Sequence, residues 1–271
     1  MSVELQDMKA LLIVSPHLDD GVLSVGGLVK YALGIGVRVI IATTFAGDTP
    51  PAAEVSPFAV ELHGRWNLGP NPYARRRAED VAAIGLLGAE LRHAPLHEAL
   101  YRTDAAGAFL YPNRESIFGP PAAGDEIGEA LTTLLDSWID EFMPDLVLAP
   151  LGVGRHVDHV IVTSSLHRLA TSRPIDVAVY EDMPYAAGTV PVFAPDTVAA
   201  ALEQTPWSIT GAQLVPVRLD DKLMAISAYT SQIADIFPNG CGVSSVVGKY
   251  MRQSGAEGLL AERIWLTAST R

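Results

Sequence analysis

Apolar positions along the chain fall into two patterns: short continuous runs and longer runs at helical spacing. Residues 9–15, Lys-Ala-Leu-Leu-Ile-Val-Ser, form a short apolar run rich in β-formers, the mark of a strand buried on both faces. Behind it, Val22, Val25, Val29 and Leu33 recur at helical spacing, and Gly34 and Gly36 close the run. Residues 37–43 are a second buried run. Strand, helix, strand over about thirty residues is a βαβ unit, parallel and right-handed by strong preference.

The pattern changes between Gly47 and Tyr73. Pro50, Pro51, Pro57, Pro70 and Pro72 leave little room for a long regular element, so a lid or binding loop is expected. Phe58 and Trp66 either wall a pocket there or pack the loop onto the domain, and His63 reads as a surface residue. Residues 74–87 predict a helix with Val81, Ile84 and Leu87 on its apolar face, and 91–94 a short strand. After a Gly/Pro-rich connection over 103–123, residues 126–142 predict an amphipathic helix. Residues 145–150 are another buried run, followed by a turn over 151–155 and a helical run over 160–170. Residues 176–180 predict a further strand, with Glu181 and Asp182 at its carboxyl end as candidate pocket residues. Past Ala186 the signals weaken: 207–219 alternates, 220–237 reads as a helix and 258–267 as a last strand. The expected fold class is α/β, a Rossmann-like open and mostly parallel sheet flanked by helices, with smaller C-terminal strand and helix additions. No internal repeat or long linker divides it, so residues 1–271 are expected to form a single domain.

Candidate chemistry sits at two strand ends. Pro16-His17-Leu18-Asp19-Asp20 follows the first buried run, and His156-Val157-Asp158-His159 follows the run at 145–150. Open α/β sheets keep their ligand sites at the carboxyl edge, and the two clusters converge there if their strands are neighbours. His17 and Asp20 with one further histidine make three metal ligands, and an open fourth position is the mark of a catalytic zinc site. The bland alternative is that Asp19 and Asp20 cap the following helix, and that His156 and His159 do the same at theirs. A nucleotide-binding enzyme shares the βαβ opening, but the first turn lacks G-x-G-x-x-G.

At these residues the sequence resembles the PIG-L/LmbE-like family of zinc-dependent N-deacetylases. The family's (A/P)H-x-D-D motif stands as 16–20 and its H-x-D-H motif as 156–159. The likeness extends through Arg75-Arg-Arg-Ala-Glu-Asp80 and Leu86-Leu-Gly88 to Tyr180-Glu-Asp-Met-Pro-Tyr185. It implies that His17, Asp20 and His159 ligate Zn2+ or another divalent metal, with Asp19 as general base. His156 then stabilises the oxyanion or protonates the leaving amine, and Asp158 orients it. Arg76 or Arg77 contacts the substrate's sugar, and Glu98 stands where the family commonly has an aspartate near the substrate hydroxyls. Some members place a tyrosine two residues before the second motif; here Gly154 stands there, so any such hydroxyl comes from elsewhere. The implied reaction is removal of an N-acetyl or similar N-acyl group from an amino sugar or glycoconjugate, such as a secondary-metabolite intermediate. A non-catalytic metal-binding descendant is the alternative, and the intact Asp19 argues against it.

Composition narrows the partners. A formal charge of −12 and a sequence pI near 4.9 argue against nucleic acid and anionic membranes. The single cysteine, Cys241, excludes an intramolecular disulfide and fits a reducing cytosol. Glu4, Asp7 and Lys9 interrupt any signal-like start, and no apolar stretch is long enough to span a bilayer. The expectation is a cytoplasmic protein without a membrane anchor whose partner is a small N-acetylated sugar or glycoconjugate; a homo-oligomer stays open.

Overall fold

The first apolar run forms β1 (Ala10–Ser15), and every one of its residues is buried. The reason is its place in the sheet. In this computed structural model β1 pairs in parallel with β2 (Arg38–Thr43) on one side and β4 (Leu146–Pro150) on the other. Parallel β3 (Glu90–His93) and β5 (Val177–Tyr180) extend the sheet outward. β7 (Ala261–Thr267) then runs antiparallel to β5, and β6 (Ile209–Pro216) lies antiparallel at the edge, giving the order β3-β2-β1-β4-β5-β7-β6. The structure describes residues 4–51, 54–69, 71–190, 197–237, 242–255 and 258–268; Pro70 and Cys241 lie outside them.

Helices cover both faces, so alternate strand residues enter different cores. Leu11 and Ile13 pack with α1 (Asp20–Gly34), α3 (Pro72–Leu87), α7 (Leu219–Ile226) and α9 (Val243–Ser254). Leu12 and Val14 pack with α4 (Ile127–Phe142) and α5 (Val157–Ser172). The expected α/β fold, with its C-terminal additions, is the one observed. Among the described residues no helix is long and apolar enough to cross a membrane.

Four local expectations are corrected. The proline-rich segment contains a ten-residue helix, α2 (Pro57–Trp66). Its Ser56 hydroxyl accepts the Ala59 amide, and Pro57 sits at the first helical position, where a missing N–H costs nothing. Asn71 and Pro72 start α3 in the same way, two residues earlier than expected. On α3, Val81 is 51% exposed, because the inward stripe runs through Tyr73, Arg76, Asp80, Ile84 and Leu87. Two of those five residues are charged, which hides the stripe from an apolar pattern. Finally, the helix expected over 220–237 breaks after Ile226 and resumes only as the short α8 (Ile233–Ile236). Between them Tyr229 donates to Asp80 at 2.6 Å, and Thr230 and the Ser231 amide donate to Glu79. Those tertiary bonds to α3 outweigh local helix preference.

Candidate metal centre and active site

Because β1 and β4 are neighbours, the turns after them face one another at the carboxyl edge, the switch point of an open α/β sheet. The turn after β1 is tightly built. Ser15 Oγ donates to the His17 carbonyl at 2.7 Å and accepts the Gly21 amide at 2.9 Å. Asp19 is held at φ 149°, a region L-residues rarely adopt, and Arg155, just before the second cluster, sits at φ 54°. Asp19 makes no side-chain capping bond to α1, so it is not there to cap the helix.

Three donor atoms meet between the turns. Asp20 Oδ2 lies 3.1 Å from His17 Nδ1 and 3.1 Å from His159 Nε2. Ligands at about 2.0–2.1 Å around a tetrahedral ion are about 3.3 Å apart, so these spacings suit a shared cation. The far nitrogen of each imidazole is already engaged by a carboxylate: His17 Nε2 with Asp158 at 2.9 Å, His159 Nδ1 with Asp182 at 2.6 Å. Such partners fix the tautomer and aim the free nitrogen at the metal. His159 is fully buried, and its Nε2, 3.1 Å from Asp20 Oδ2 but outside hydrogen-bond geometry, has no other partner, a place that a cation would fill. The residues present therefore fit a divalent cation. Among the described residues two groupings bring donor atoms all within 4.8 Å of one another, His17 with His156 and His159, and His17 with Glu98 and Asp158; Asp20 lies against both His17 and His159 of the first. The second is blocked, since Arg102 and the Ala99 amide already hold Asp158. In the first, His156 Nδ1 accepts the Asp158 amide at 3.2 Å and leaves only Nε2.

Burial sets the charges. It pushes Asp19 up to about 7, against the pull of Arg76 whose Nη2 is 3.7 Å away, and pushes Glu98 up to about 8. His159 is buried, which opposes a charge, yet Asp20 and Asp182 raise it to about 9; Asp158 and Asp20 likewise hold His17 well above its ordinary value. For Asp20 burial is outweighed by those imidazoles, and its carboxyl lies well below the usual range. Burial and the neighbouring His17 drive His156 the other way, to a neutral ring.

The sequence profile of a family described as PIG-L, GlcNAc-PI de-N-acetylase, matches residues 12–170, which take in both turns, β4 and most of β1. The chain belongs to the PIG-L family. It is 30% identical over 226 residues to the 2'-N-acetylparomamine deacetylase of Streptomyces fradiae, covering 83% of this chain and 74% of that protein. Among solved structures it resembles the zinc-inhibited form of teicoplanin deacetylase Orf2, with a TM-score of 0.82 and 27% identity over 96% of this chain and 98% of the other. The A40926 pseudoaglycone deacetylase Dbv21 aligns with a TM-score of 0.75 and 28% identity over the same shares.

Beside the donor cluster opens a cavity of about 410 Å³, of a size that holds a small organic ligand. Asp19, Glu98 and His156 line it with Arg76, while Phe58 and Trp66 of α2 form an outer wall. Both aromatics also pack in a small core with Leu62 and Tyr73, so they serve the pocket and the loop together. The two arginines proposed by sequence separate here. Arg76 is buried, its guanidinium 5.0 Å from the Trp66 ring and 5.2 Å from Tyr73, and its Nε has no partner. Arg77 turns away from the cavity lining to the Ala46 carbonyl and Asp48.

Other PIG-L positions depart from expectation. Asp158 does not hold His156: its nearest carboxylate oxygen is 3.9 Å from His156 Nδ1, and its bonds go to His17, the Ala99 amide and Arg102. Of Glu181 and Asp182 neither lines the cavity. Glu181 turns to Trp265 and Arg263, whereas Asp182 anchors His159 and accepts the Gly152 and Val153 amides. His63 is not simply on the surface; its Nε2 lies 2.5 Å from the Tyr101 hydroxyl. At Gly154, φ is +80° and a Cβ would come within 2.8 Å of the Tyr185 ring, so the tyrosine of other members has no room. Tyr185 itself lines the cavity, its ring edge-on to His159 at 5.7 Å. Arg102 was missed altogether, since nothing local distinguishes a buried arginine from a surface one.

Proposed function

We propose that this PIG-L protein is a zinc-dependent N-deacetylase that hydrolyses the N-acetyl group of an amino sugar or glycoconjugate. The observation that carries it is the convergence of His17 Nδ1, Asp20 Oδ2 and His159 Nε2, with both far ring nitrogens already bonded to carboxylates. These three residues would hold the metal. When bound, a zinc ion supplies Lewis acidity toward the acyl oxygen and lowers the pKa of water.

The chain's own groups supply the rest. Asp19 stands beside Asp20 without a capping or ligand role, on the cavity wall, with its carboxyl raised toward neutrality. That is the position and basicity of a general base that takes the proton of the attacking water. His156 accepts the Asp158 amide at Nδ1, which leaves its proton on Nε2. It is thereby a hydrogen-bond donor to the oxygen on which negative charge develops. Arg76 and Glu98, buried on the same wall, are the groups for sugar hydroxyls, and Phe58 and Trp66 exclude water from the outer side. Arg77 has no part in this reading. A non-catalytic metal-binding protein would leave Asp19 without a use.

Purified protein is expected to contain one zinc per chain and to release acetate from N-acetylglucosaminides or N-acetylated glycoconjugates. His159→Ala should lose most of both while keeping its circular dichroism. Full metal occupancy in that variant would remove His159 from the ligand set. Metal without acetate release across a broad panel would end the deacetylase reading.

A further inference from the structure

We infer that Asp158 is the positioning carboxylate of His17, and that Arg102 and Asp125 behind it set the affinity of the metal centre from outside the cavity. The inference rests on the metal-site reading above and goes beyond it. The middle aspartate of His156-Val157-Asp158-His159 lies at the start of α5, one residue from His159, where a role toward the histidines of its own motif is the simple reading. The geometry points across the site instead. Asp158 Oδ2 is 2.9 Å from His17 Nε2 and 3.0 Å from the Ala99 amide, while Oδ1 is 2.6 Å from Arg102 Nη1. Nothing is left for His156, whose Nδ1 is served by the backbone amide of Asp158 itself.

Arg102 is buried and belongs to a chain of polar groups. Its Nε donates to Asp125 Oδ2 at 3.1 Å, and that oxygen also accepts the Tyr111 hydroxyl at 2.7 Å. Its Nη1 donates to the His97 carbonyl, and its guanidinium lies 5.3 Å from the Phe45 ring and 5.2 Å from Tyr111. The guanidinium therefore has one place to stand. Fixed there, it holds Asp158 in a single rotamer. Asp158 in turn keeps the proton of His17 on Nε2 and leaves Nδ1, the atom facing Asp20, as the free donor. Asp182 does the equivalent service for His159 on the other side, so each ligand histidine has its own carboxylate. Asp158 is anchored by the Ala99 amide and Arg102, outside both metal-binding turns, and Asp182 by the Gly152 and Val153 amides of the turn after β4.

The test is the zinc affinity of metal-stripped protein, measured by competition with a chromophoric chelator, with the cobalt(II) absorption spectrum as a report of ligand geometry. Asp158→Asn and Arg102→Met should each weaken zinc by about 10–100-fold and alter the cobalt spectrum, whereas His156→Ala should leave both as in the wild type. Arg102→Met leaves Asp158 buried without its cation and risks misfolding. Arg102→Lys keeps the charge, loses the planar fork, and should give an intermediate loss with an unchanged far-ultraviolet spectrum. If Asp158→Asn and Arg102→Lys bind zinc as tightly as the wild type while His159→Ala does not, the positioning role is wrong and the metal site stands. If wild-type protein itself binds no zinc, the site reading fails and this inference falls with it.

Discussion

Asp19 concentrates the chemistry of the site in one side chain. Burial raises its carboxyl to about 7 and Arg76 works against that rise. A base must be ionised to act, so activity depending on Asp19 is present above its pKa and lost as pH falls through it. A divalent ion beside it adds to the pull of Arg76 and moves the limb lower. The expected kcat/KM profile thus has an acid limb at or below pH 7, and Asp19→Asn lowers kcat by about a hundredfold or more while retaining metal. Normal turnover by the variant would put the base elsewhere. Much of this was legible because His17, Asp19 and Asp20 stand within four residues of one another and their order encodes a turn. The supporting carboxylates were not. Asp158 lies in a motif yet serves a histidine 141 positions away, and Arg102 has no local mark at all. Contacts of that range arise from the sheet order, which a local pattern does not contain. Asp182 was noticed only as a strand-end acid, and its bond to His159 spans 23 positions.

Among the elements, α1 shows how far a sequence pattern can be right about a helix and silent about its shape. The spacing of Val22, Val25, Val29 and Leu33 gives the helix, but Val25 has non-helical φ −129° and ψ 22°, and the axis kinks there. Beyond the kink, the Gly27 and Leu28 amides donate to the Glu262 carboxylate of β7 at 3.0 and 2.6 Å. Lys222 of α7, itself 1% exposed, closes the arrangement by bonding Glu262 at 2.7 Å and the Ser24 carbonyl at 3.0 Å. Kinks arise where a side chain enters the helical ladder, as here. Neither Lys222 nor Glu262 sits in a motif, and a Gly27 side chain would collide with Val217 at 2.8 Å. Ser24 also accepts at its hydroxyl the Met183 amide, next to Asp182, so the kink lies one step from the metal site. Lys222→Met strands a buried carboxylate and is expected to cost about 3–5 kcal/mol of stability, read by denaturant unfolding of the metal-loaded protein. Replacing both partners, Lys222→Met with Glu262→Gln, should recover part of that loss. Equal destabilisation by the single and double variants would mean the pair does not act as a unit.

Across the whole molecule, sheet order makes the site. β1 and β4 are consecutive in the sheet but separated by more than a hundred residues, and their adjacency places a ligand from each half of the chain around one point. A metal held there would tie those halves together, and its contribution to stability would depend on pH. In the metal-free protein His17 lies above its ordinary value and His159 at about 9. For a histidine raised on folding, the stabilisation is fully present below the unfolded value near 6.5 and is lost as pH rises through the folded one. Asp19 and Glu98, raised to about 7 and 8, act in the same direction, because the unfolded chain releases their protons near pH 4 while the fold retains them. His156, driven to a neutral ring, opposes them below the unfolded value near 6.5, but the two carboxyls outnumber it, so the metal-free protein loses stability between about pH 5 and 9. Zinc competes with the same protons, so its apparent affinity rises over that range, and the stabilisation it gives grows as the logarithm of concentration over Kd. The increase in Tm on adding zinc to stripped protein should accordingly be small at pH 5.5 and largest near pH 8.5, and absent at both in His159→Ala. A zinc-induced shift that is the same at every pH would mean that the ion binds groups that do not carry protons in the free protein, and so not these histidines.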